Sequence, residues 1–191
     1  MIKKGAMFGL DARIALAIFG ALSVISGAAL YSAIKESKSI AKLSQIQEVV
    51  KAYEQFYLDT GAHVKKSTGD IINIEELVDN TEVRANWKGP YLSYKKADSR
   101  NGLQTEYDDI VTRVRINGTW GETSGVVADE CISKEDCQLW IGWLGLPQNI
   151  SDYIDEKIDG TLNDSEGDIR YYDWAIGKAF YIKTGISYKN I

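Results

Sequence analysis

The sequence predicts an α+β fold in which a long N-terminal helix packs against an antiparallel β-sheet. An uncharged apolar stretch runs directly into an amphipathic helical pattern. The second half of the chain contains strand-like alternation and an Asn-Gly turn signal. Eleven Tyr and five Trp against two Pro also favour strands, because aromatic side chains fit a half-buried pleated surface. A helix laid across such a sheet buries the apolar faces of both.

Length and charge limit the possible functions. The 191 residues leave room for one membrane element and one globular domain of about 130 to 150 residues. The formal net charge of -5 argues against a general nucleic-acid binder, since such proteins neutralise phosphates with clustered Lys and Arg. We therefore expect no nucleic-acid partner.

The first element is an apolar helix over residues 14–34, a stretch without a charged side chain. About 20 such residues span a bilayer as a helix. Lys3, Lys4 and Arg13 precede the stretch, which predicts a cytoplasmic N-terminus and an exported C-terminal part. A secretory signal peptide has a shorter apolar region, about 7 to 15 residues, and ends at a cleavage site.

The helix is predicted to continue as an amphipathic segment to near Leu58. Apolar side chains recur there at spacings of three and four, which places them on one face. Asp59-Thr-Gly61 predicts the end of the helix, with Gly61 as its C-terminal cap. The predicted stripe comprises Ile40, Leu43, Ile46, Val50, Tyr53 and Tyr57.

Several shorter elements are predicted beyond the long helix. Residues 71–79 predict one or two helical turns, and Trp87 and Tyr91, beside a Gly-Pro turn, are expected to cover the apolar stripe. Alternation over 109–117 predicts a strand that ends at Asn117-Gly118 and pairs with a returning strand at 119–121. Residues 138–143 are expected to pair with 179–183.

A short helix is predicted near the C-terminal strands. Ile150, Tyr153, Ile154 and Ile158 share one helical face, and Ser151 is a suitable cap for its start. The acidic loop that follows leads to the last strands.

The start of the chain resembles the type IV pilin-like family. The resemblance lies in the order of elements: a short Lys-containing leader, a small residue at Gly5 or Ala6, an acidic residue at Asp11, an apolar run and an amphipathic helix. It implies cleavage by a prepilin peptidase after Gly5 or after Ala6. Cleavage after Ala6 leaves Met7 as the methylated first residue, with Asp11 where the family has glutamate.

The same resemblance implies a role for Asp11. In pilin-like proteins this carboxylate pairs with the new α-amino group of a neighbouring subunit and sets the axial stagger of the fibre. The alternative is that Asp11 and Arg13 lie at the membrane surface and pair locally.

A second similarity covers residues 53–92. FYLDTG, a short Leu-containing helix and NWKGPYL are similar to the major pseudopilins of type II secretion, which favours a pseudopilin or minor pilin. The implied organisation is a leader at 1–6, a membrane-spanning and fibre-core helix at 7–34, an amphipathic helix at 35–61 and a periplasmic β-rich domain at 62–191. The implied partners are prepilin peptidase, other pilin or pseudopilin subunits and an inner-membrane assembly platform.

Two candidate sites lie in the exported part. Cys131 and Cys137 are predicted to form a disulfide, because exported proteins meet an oxidising compartment; the alternative is two reduced thiols. Some pseudopilins bind calcium in a C-terminal loop, and an acidic loop here carries oxygen ligands of the type that Ca²⁺ requires. A solvated acidic loop is the alternative. The candidate calcium ligands are Asp159, Asp164, Glu166 and Asp168.

Catalysis is not expected. The sequence lacks the G-x-S-x-G, P-loop, GxGxxG and HExxH motifs, and its one histidine, His63, is predicted to be an ordinary surface residue. The resemblance implies a fibre-forming pilin-like subunit, and the missing motifs favour a non-enzymatic role. The alternative is a single-pass, membrane-anchored exported binding or sensor domain that does not polymerise.

Overall fold

The computed structural model describes residues 5–67, 69, 71–97, 102–105, 109–116, 118–121, 137–174 and 177–188. The first element is the long helix α1, Gly5–Thr60. Gly61 follows it with a φ of 69°, and its N–H donates to the carbonyl of Tyr57 at 2.8 Å. The left-handed conformation explains why glycine ends this helix, because a side chain there is strained.

A short 3₁₀ turn, Ile74–Leu77, comes next and carries a buried carboxylate. Glu76 is fully buried and pairs with Arg84, whose Nε lies 2.7 Å from Glu76 Oε2. The second carboxylate oxygen accepts the N–H of Lys65 at 2.8 Å. Such pairing is needed for a charge at this depth, since an unpaired buried carboxylate is costly.

The described part of the chain contains six strands in one antiparallel sheet of order β1-β2-β3-β4-β6-β5. A second helix, α2, Gln148–Asp159, lies between β4 and β5 in the sequence. The strands are β1 Lys95–Lys96, β2 Leu103–Gln104, β3 Asp109–Ile116, β4 Cys137–Leu144, β5 Ile169–Trp174 and β6 Gly177–Ser187. The predicted α+β class, a long helix packed on an antiparallel sheet, is confirmed.

The helix covers one face of the sheet. Side chains of β4 alternate between the two faces, so that Leu139, Ile141 and Trp143 join the main core while Trp140 does not. The helix contributes Ile46, Val49, Ala52, Tyr53 and Phe56 to that core. On the opposite face Trp140 packs edge to face against Trp120, with ring centroids 5.0 Å apart.

Several sequence predictions about these elements are confirmed. The pairing of 138–143 with 179–183 appears as β4 against β6, with Trp143 opposite Phe180. Trp87 and Tyr91 pack on the core, and the Tyr91 ring meets Phe56 at 5.8 Å between centroids. The helix at the acidic loop is α2.

The predicted hairpin at Asn117-Gly118 is wrong. β3 pairs along its whole length with β4, from Asp109 opposite Leu144 to Ile116 opposite Cys137. Trp120 lies outside any strand and donates its N–H to the carbonyl of Ser165 at 3.2 Å. The eight paired residues of β3 and β4 take the place of the short returning strand predicted at 119–121. Asn117 itself lies outside the described residues.

Two local assignments also need correction. Ser151 does not cap α2, because the helix begins three residues earlier and the Ser151 hydroxyl donates to the carbonyl of Gln148 at 2.9 Å. Within the predicted stripe of α1, Ile40 is 59% exposed and Tyr57 is 40% exposed, and Val49 and Phe56 take the central buried positions. The stripe is therefore rotated toward Val49, Ala52 and Phe56.

Candidate functional site: the exposed half of the long helix

Among the described residues, the N-terminal half of α1 is not packed against the rest of the chain. The segment Gly9–Thr60 contains an 18-residue window with a mean hydropathy of 2.1, and none of that window is buried. It is the one helix among the described residues that is long and apolar enough to cross a membrane. Phe19 and Val24 are 71% and 73% exposed. The other exposed large apolar residues of this half are Leu10, Ile14, Leu16, Ile18, Leu22, Ile25, Leu30, Tyr31 and Ile34.

This surface is strongly apolar for one that no described part of the chain covers. Burying one large apolar side chain gains about 1.5 to 3 kcal/mol, whereas a whole domain is stable by only about 5 to 15 kcal/mol. The burial free energy available to the exposed apolar side chains of this run is therefore larger than the stability of a typical domain. An exposed apolar surface of this size is typical of a site that meets lipid or another protein.

Small residues leave room for close approach along the same surface. A Cβ built on Gly20 or Gly27 meets no atom within 4 Å. Small side chains let helices pack closely in an apolar environment, where tight packing rather than water exclusion drives association. The helix therefore presents both the length for a bilayer and the surface for a neighbouring helix.

The predicted processing and assembly residues lie at the start of this helix. Gly5, Ala6 and Met7 are helical, and Asp11 is exposed in the turn that follows. Residues 1–4 lie outside the described residues. Cleavage and the role of Asp11 stay predictions.

The second helix, α2, contacts α1 at the C-terminal end of the apolar run. Asn149, in the first turn of α2, donates from its side chain to the Tyr31 hydroxyl at 3.2 Å. The Lys35 ammonium lies 4.9 Å from the centroid of the Tyr153 ring. These contacts hold α2 beside the boundary between the apolar and the packed half, so no flexible linker separates the domain from the apolar segment.

The predicted calcium ligands are not gathered around one point. Asp159 accepts the N–H groups of Asp168 and Ile169, with the Ile169 distance at 3.0 Å. A side chain at Gly167, whose φ is 82°, would collide with the Asp159 carboxylate. Asp159 thus closes the loop between α2 and β5 through backbone hydrogen bonds.

The other three carboxylates of that prediction have protein partners of their own. The Ser165 hydroxyl donates to Asp164 at 2.7 Å, Asn163 donates to Glu166 at 3.5 Å, and Lys183 pairs with Asp168 at 3.3 Å. Among the described residues no group of three or more His, Cys, Asp or Glu side chains is placed to hold a metal ion. Calcium binding stays a prediction without geometric support.

Only one of the two cysteines of the predicted disulfide lies within the described residues. Cys137 begins β4, is buried and is disulfide-bonded. Its predicted partner, Cys131, lies outside the described residues.

His63 is not the ordinary surface residue that the sequence suggested. Its ring lies 4.6 Å from the Tyr188 ring and 4.7 Å from the Tyr57 ring, measured between centroids. Its Nδ1 is hydrogen-bonded to the Tyr53 hydroxyl at 2.9 Å. Burial lowers the pKa of His63 below its ordinary value. His63 therefore belongs to an aromatic cluster with Tyr53, Tyr57 and Tyr188 at the C-terminal end of α1.

Sequence reasoning also missed a buried carboxylate on α2. Asp155 is 1% exposed, and burial raises its pKa to about 6. The signal was present, since Asp155 follows Ile154 and shares the inward face of α2 with Ile150 and Ser151. An acidic residue on the apolar side of an amphipathic helix needs a polar environment there.

No protein-family model, curated protein or solved structure matches this chain.

Proposed function

We propose that this chain is a pilin-like subunit, a pseudopilin or minor pilin, that is held in the bacterial inner membrane before it assembles into a fibre. The observation that carries the proposal is the exposed apolar half of α1, which continues without a break into the half that packs on the sheet. A prepilin peptidase would remove the leader, and an assembly platform would pass the subunit into the growing fibre. The exported domain would then face the periplasm.

The rigid continuity of α1 favours assembly over simple anchoring. An anchor needs only length and apolarity, and a loose linker serves it equally well. Here α2 contacts the helix at Tyr31 and Lys35, and α1 continues without a break from the apolar segment to the half that packs on the sheet. A fixed orientation allows identical subunits to pack their helices in a regular array.

Asp11 is the residue that separates fibre assembly from anchoring. A carboxylate at the membrane edge is costly unless it is paired, and a neighbouring subunit's α-amino group is the partner that the proposal supplies. The rival function, a membrane-anchored exported binding or sensor domain, gives Asp11 no such task.

The proposal is tested with Asp11→Ala and its matched control Asp11→Glu in cells that express the assembly machinery. We expect both variants to insert into the membrane. Fibres in sheared fractions, seen by electron microscopy, should be lost in Asp11→Ala and retained in Asp11→Glu, which keeps the charge. Fibres at the wild-type level in Asp11→Ala would remove Asp11 from assembly and favour the anchored domain.

A further inference from the structure

Three lysines follow the apolar run on one face of α1. Lys35, Lys38 and Lys42 are separated by three and four residues, which places their side chains within about one-sixth of the helix circumference. Over residues 35–47 the one acidic side chain is Glu36. The chain as a whole has a formal net charge of -5, so this segment is a locally positive surface on an acidic protein.

The rise of an α-helix sets the depth of each lysine in a membrane that the apolar run spans. Ile34 is the last residue of that run, and Lys35 directly follows it. At about 1.5 Å per residue, Lys38 lies about 6 Å and Lys42 about 12 Å beyond Ile34. The headgroup layer is about 5 to 8 Å thick on each side of the hydrocarbon core. Lys35 and Lys38 therefore fall within this layer, and the long side chain of Lys42 can reach back to its edge.

Aromatic side chains from α1 and α2 lie at the same depth. Tyr31, about one turn before Lys35, is 60% exposed, and its hydroxyl accepts the hydrogen bond from Asn149. Tyrosine is enriched where a membrane meets water, because its ring is apolar and its hydroxyl is polar. The Lys35 ammonium lies 4.9 Å from the centroid of the Tyr153 ring. Both observations support a membrane boundary at the contact between α1 and α2.

The ammonium groups of Lys35 and Lys38 are available to an external anion. Lys38 is exposed, and no ion pair in the described part of the chain involves either lysine. Contact with an aromatic face leaves the N–H donors of Lys35 open to an acceptor. Basic residues are favoured on the cytoplasmic side of a membrane helix, so lysines on the opposite flank call for an anion there.

We propose that Lys35 and Lys38, with Lys42 at the edge, bind the phosphate of anionic phospholipid headgroups in the leaflet where the apolar run ends. Each ammonium donates hydrogen bonds to phosphate oxygens and neutralises their charge. A zwitterionic headgroup carries its own cation beside the phosphate, so the site prefers a headgroup with a net negative charge. The proposal rests on the membrane insertion of the proposed function, and neither cleavage nor assembly enters it.

The test is native mass spectrometry of the detergent-solubilised full chain with an equimolar mixture of phosphatidylglycerol and phosphatidylcholine that carry the same oleoyl chains. We expect wild type to hold phosphatidylglycerol in preference. One basic residue near a charged membrane surface strengthens binding about fivefold. The double variant with Lys35→Gln and Lys38→Gln should therefore lower the ratio of the two lipid adducts by at least about fivefold. Lys35→Arg with Lys38→Arg keeps both charges and should retain the ratio.

A pair of single variants provides the matched control. Lys38→Gln and Lys51→Gln each remove one charge from an exposed position of α1. Lys51 lies about 25 Å beyond Ile34 and on the opposite side of the helix from the three lysines. Lys38→Gln should lower the ratio by about threefold or more, whereas Lys51→Gln should leave it within about twofold of wild type.

An equal ratio in wild type and in the double glutamine variant would overturn the proposal, as would a wild-type ratio near one. An equal loss in Lys51→Gln and Lys38→Gln would indicate bulk charge and would also overturn it. If the double variant fails to fold, the exposed Lys38→Gln carries the test.

Alkaline extraction of membranes separates this proposal from the proposed function. Wild-type protein that leaves the membrane pellet would contradict both. Wild-type protein that stays in the pellet but shows no preference for phosphatidylglycerol would contradict the lipid site alone.

Discussion

The two halves of α1 form one continuous helix but bury very different surfaces. From Gly9 to Ile34 every described side chain is exposed, and the one contact with the rest of the chain described for this segment is the hydrogen bond from Asn149 to Tyr31. In the second half, Val49 and Phe56 are fully buried against the sheet. The backbone is the same, so the difference lies in composition and in what covers each surface.

The contrast shows that a helical backbone does not by itself determine what the side chains of the helix pack against. The second half alternates apolar and charged residues, and its apolar stripe finds a partner inside the molecule. The first half is apolar on all sides, which is typical of a helix whose partner is a bilayer or other helices. Each half should therefore respond differently to the same substitution.

The largest difference is expected for phenylalanine truncation. Phe56→Ala should lower the free energy of unfolding of the domain formed by the sheet and the second half of α1 by about 3 to 5 kcal/mol, because it opens a cavity in the core. Phe19→Ala, at a position 71% exposed, should change it by less than about 0.5 kcal/mol. Urea unfolding of the solubilised chain, followed by tryptophan fluorescence, measures both. Equal losses would mean that the first half also packs on the domain.

A smaller effect is expected for an inserted charge, read out as membrane association. Leu22→Arg places a charge near the middle of the apolar run and should cost about 2.5 to 3.5 kcal/mol of insertion free energy. Leu58→Arg changes a residue that is 76% exposed, beyond that run, and should leave insertion unchanged. The measurement is the fraction of protein that stays in the membrane pellet after alkaline extraction. Loss in both variants would place the membrane boundary further along α1.

The smallest effect is the pH dependence of the packed half, since residues 14–34 contain no acidic, basic or histidine side chain. Burial lowers the pKa of His63, so below pH 6.5 the unfolded chain takes up a proton that the folded chain resists. Stability from this residue is thus present above pH 6.5 and lost as the pH falls. The urea midpoints of wild type and His63→Gln are measured from about pH 7.5 to about pH 5. They should approach each other as the pH falls.

Asp155 changes stability with pH in the opposite direction to His63, so the two contributions must be distinguished. Its pKa is raised to about 6, so the folded chain keeps a proton that the unfolded chain has lost. That contribution is present at low pH and is lost as the pH rises through about 6. Because wild type and His63→Gln both contain Asp155, its contribution cancels in the difference between their stabilities. A constant difference across the range would contradict the assignment to His63.

The sequence was sufficient where a pattern is local or strongly periodic. The apolar run, the helix end at Gly61 and helix α2 follow from composition, capping and spacing. The pairing of β4 with β6 followed from two segments rich in aromatic and β-branched residues. The strand at β3 was also found, but its partner was not, because Asn117-Gly118 suggested a local return while eight residues of β4 offered longer pairing.

The candidate site residues were harder to place because they depend on distant contacts. His63 meets Tyr188, which lies far along the sequence, and only the fold brings the two rings together. Asp155 and Tyr171 face one cavity from a helix and a strand. Acidic residues in the loop suggested calcium, whereas Asp159 instead binds backbone N–H groups.

The most direct test of the central claim is the mass of the mature N-terminus, measured in cells with and without prepilin peptidase. The proposed function predicts a new, methylated terminus at Met7 or Ala6 when the peptidase is present, and an intact leader when it is absent. That result would also fix the register of Asp11. An intact Met1 in both strains would contradict processing and leave the exposed half of α1 as a plain membrane anchor.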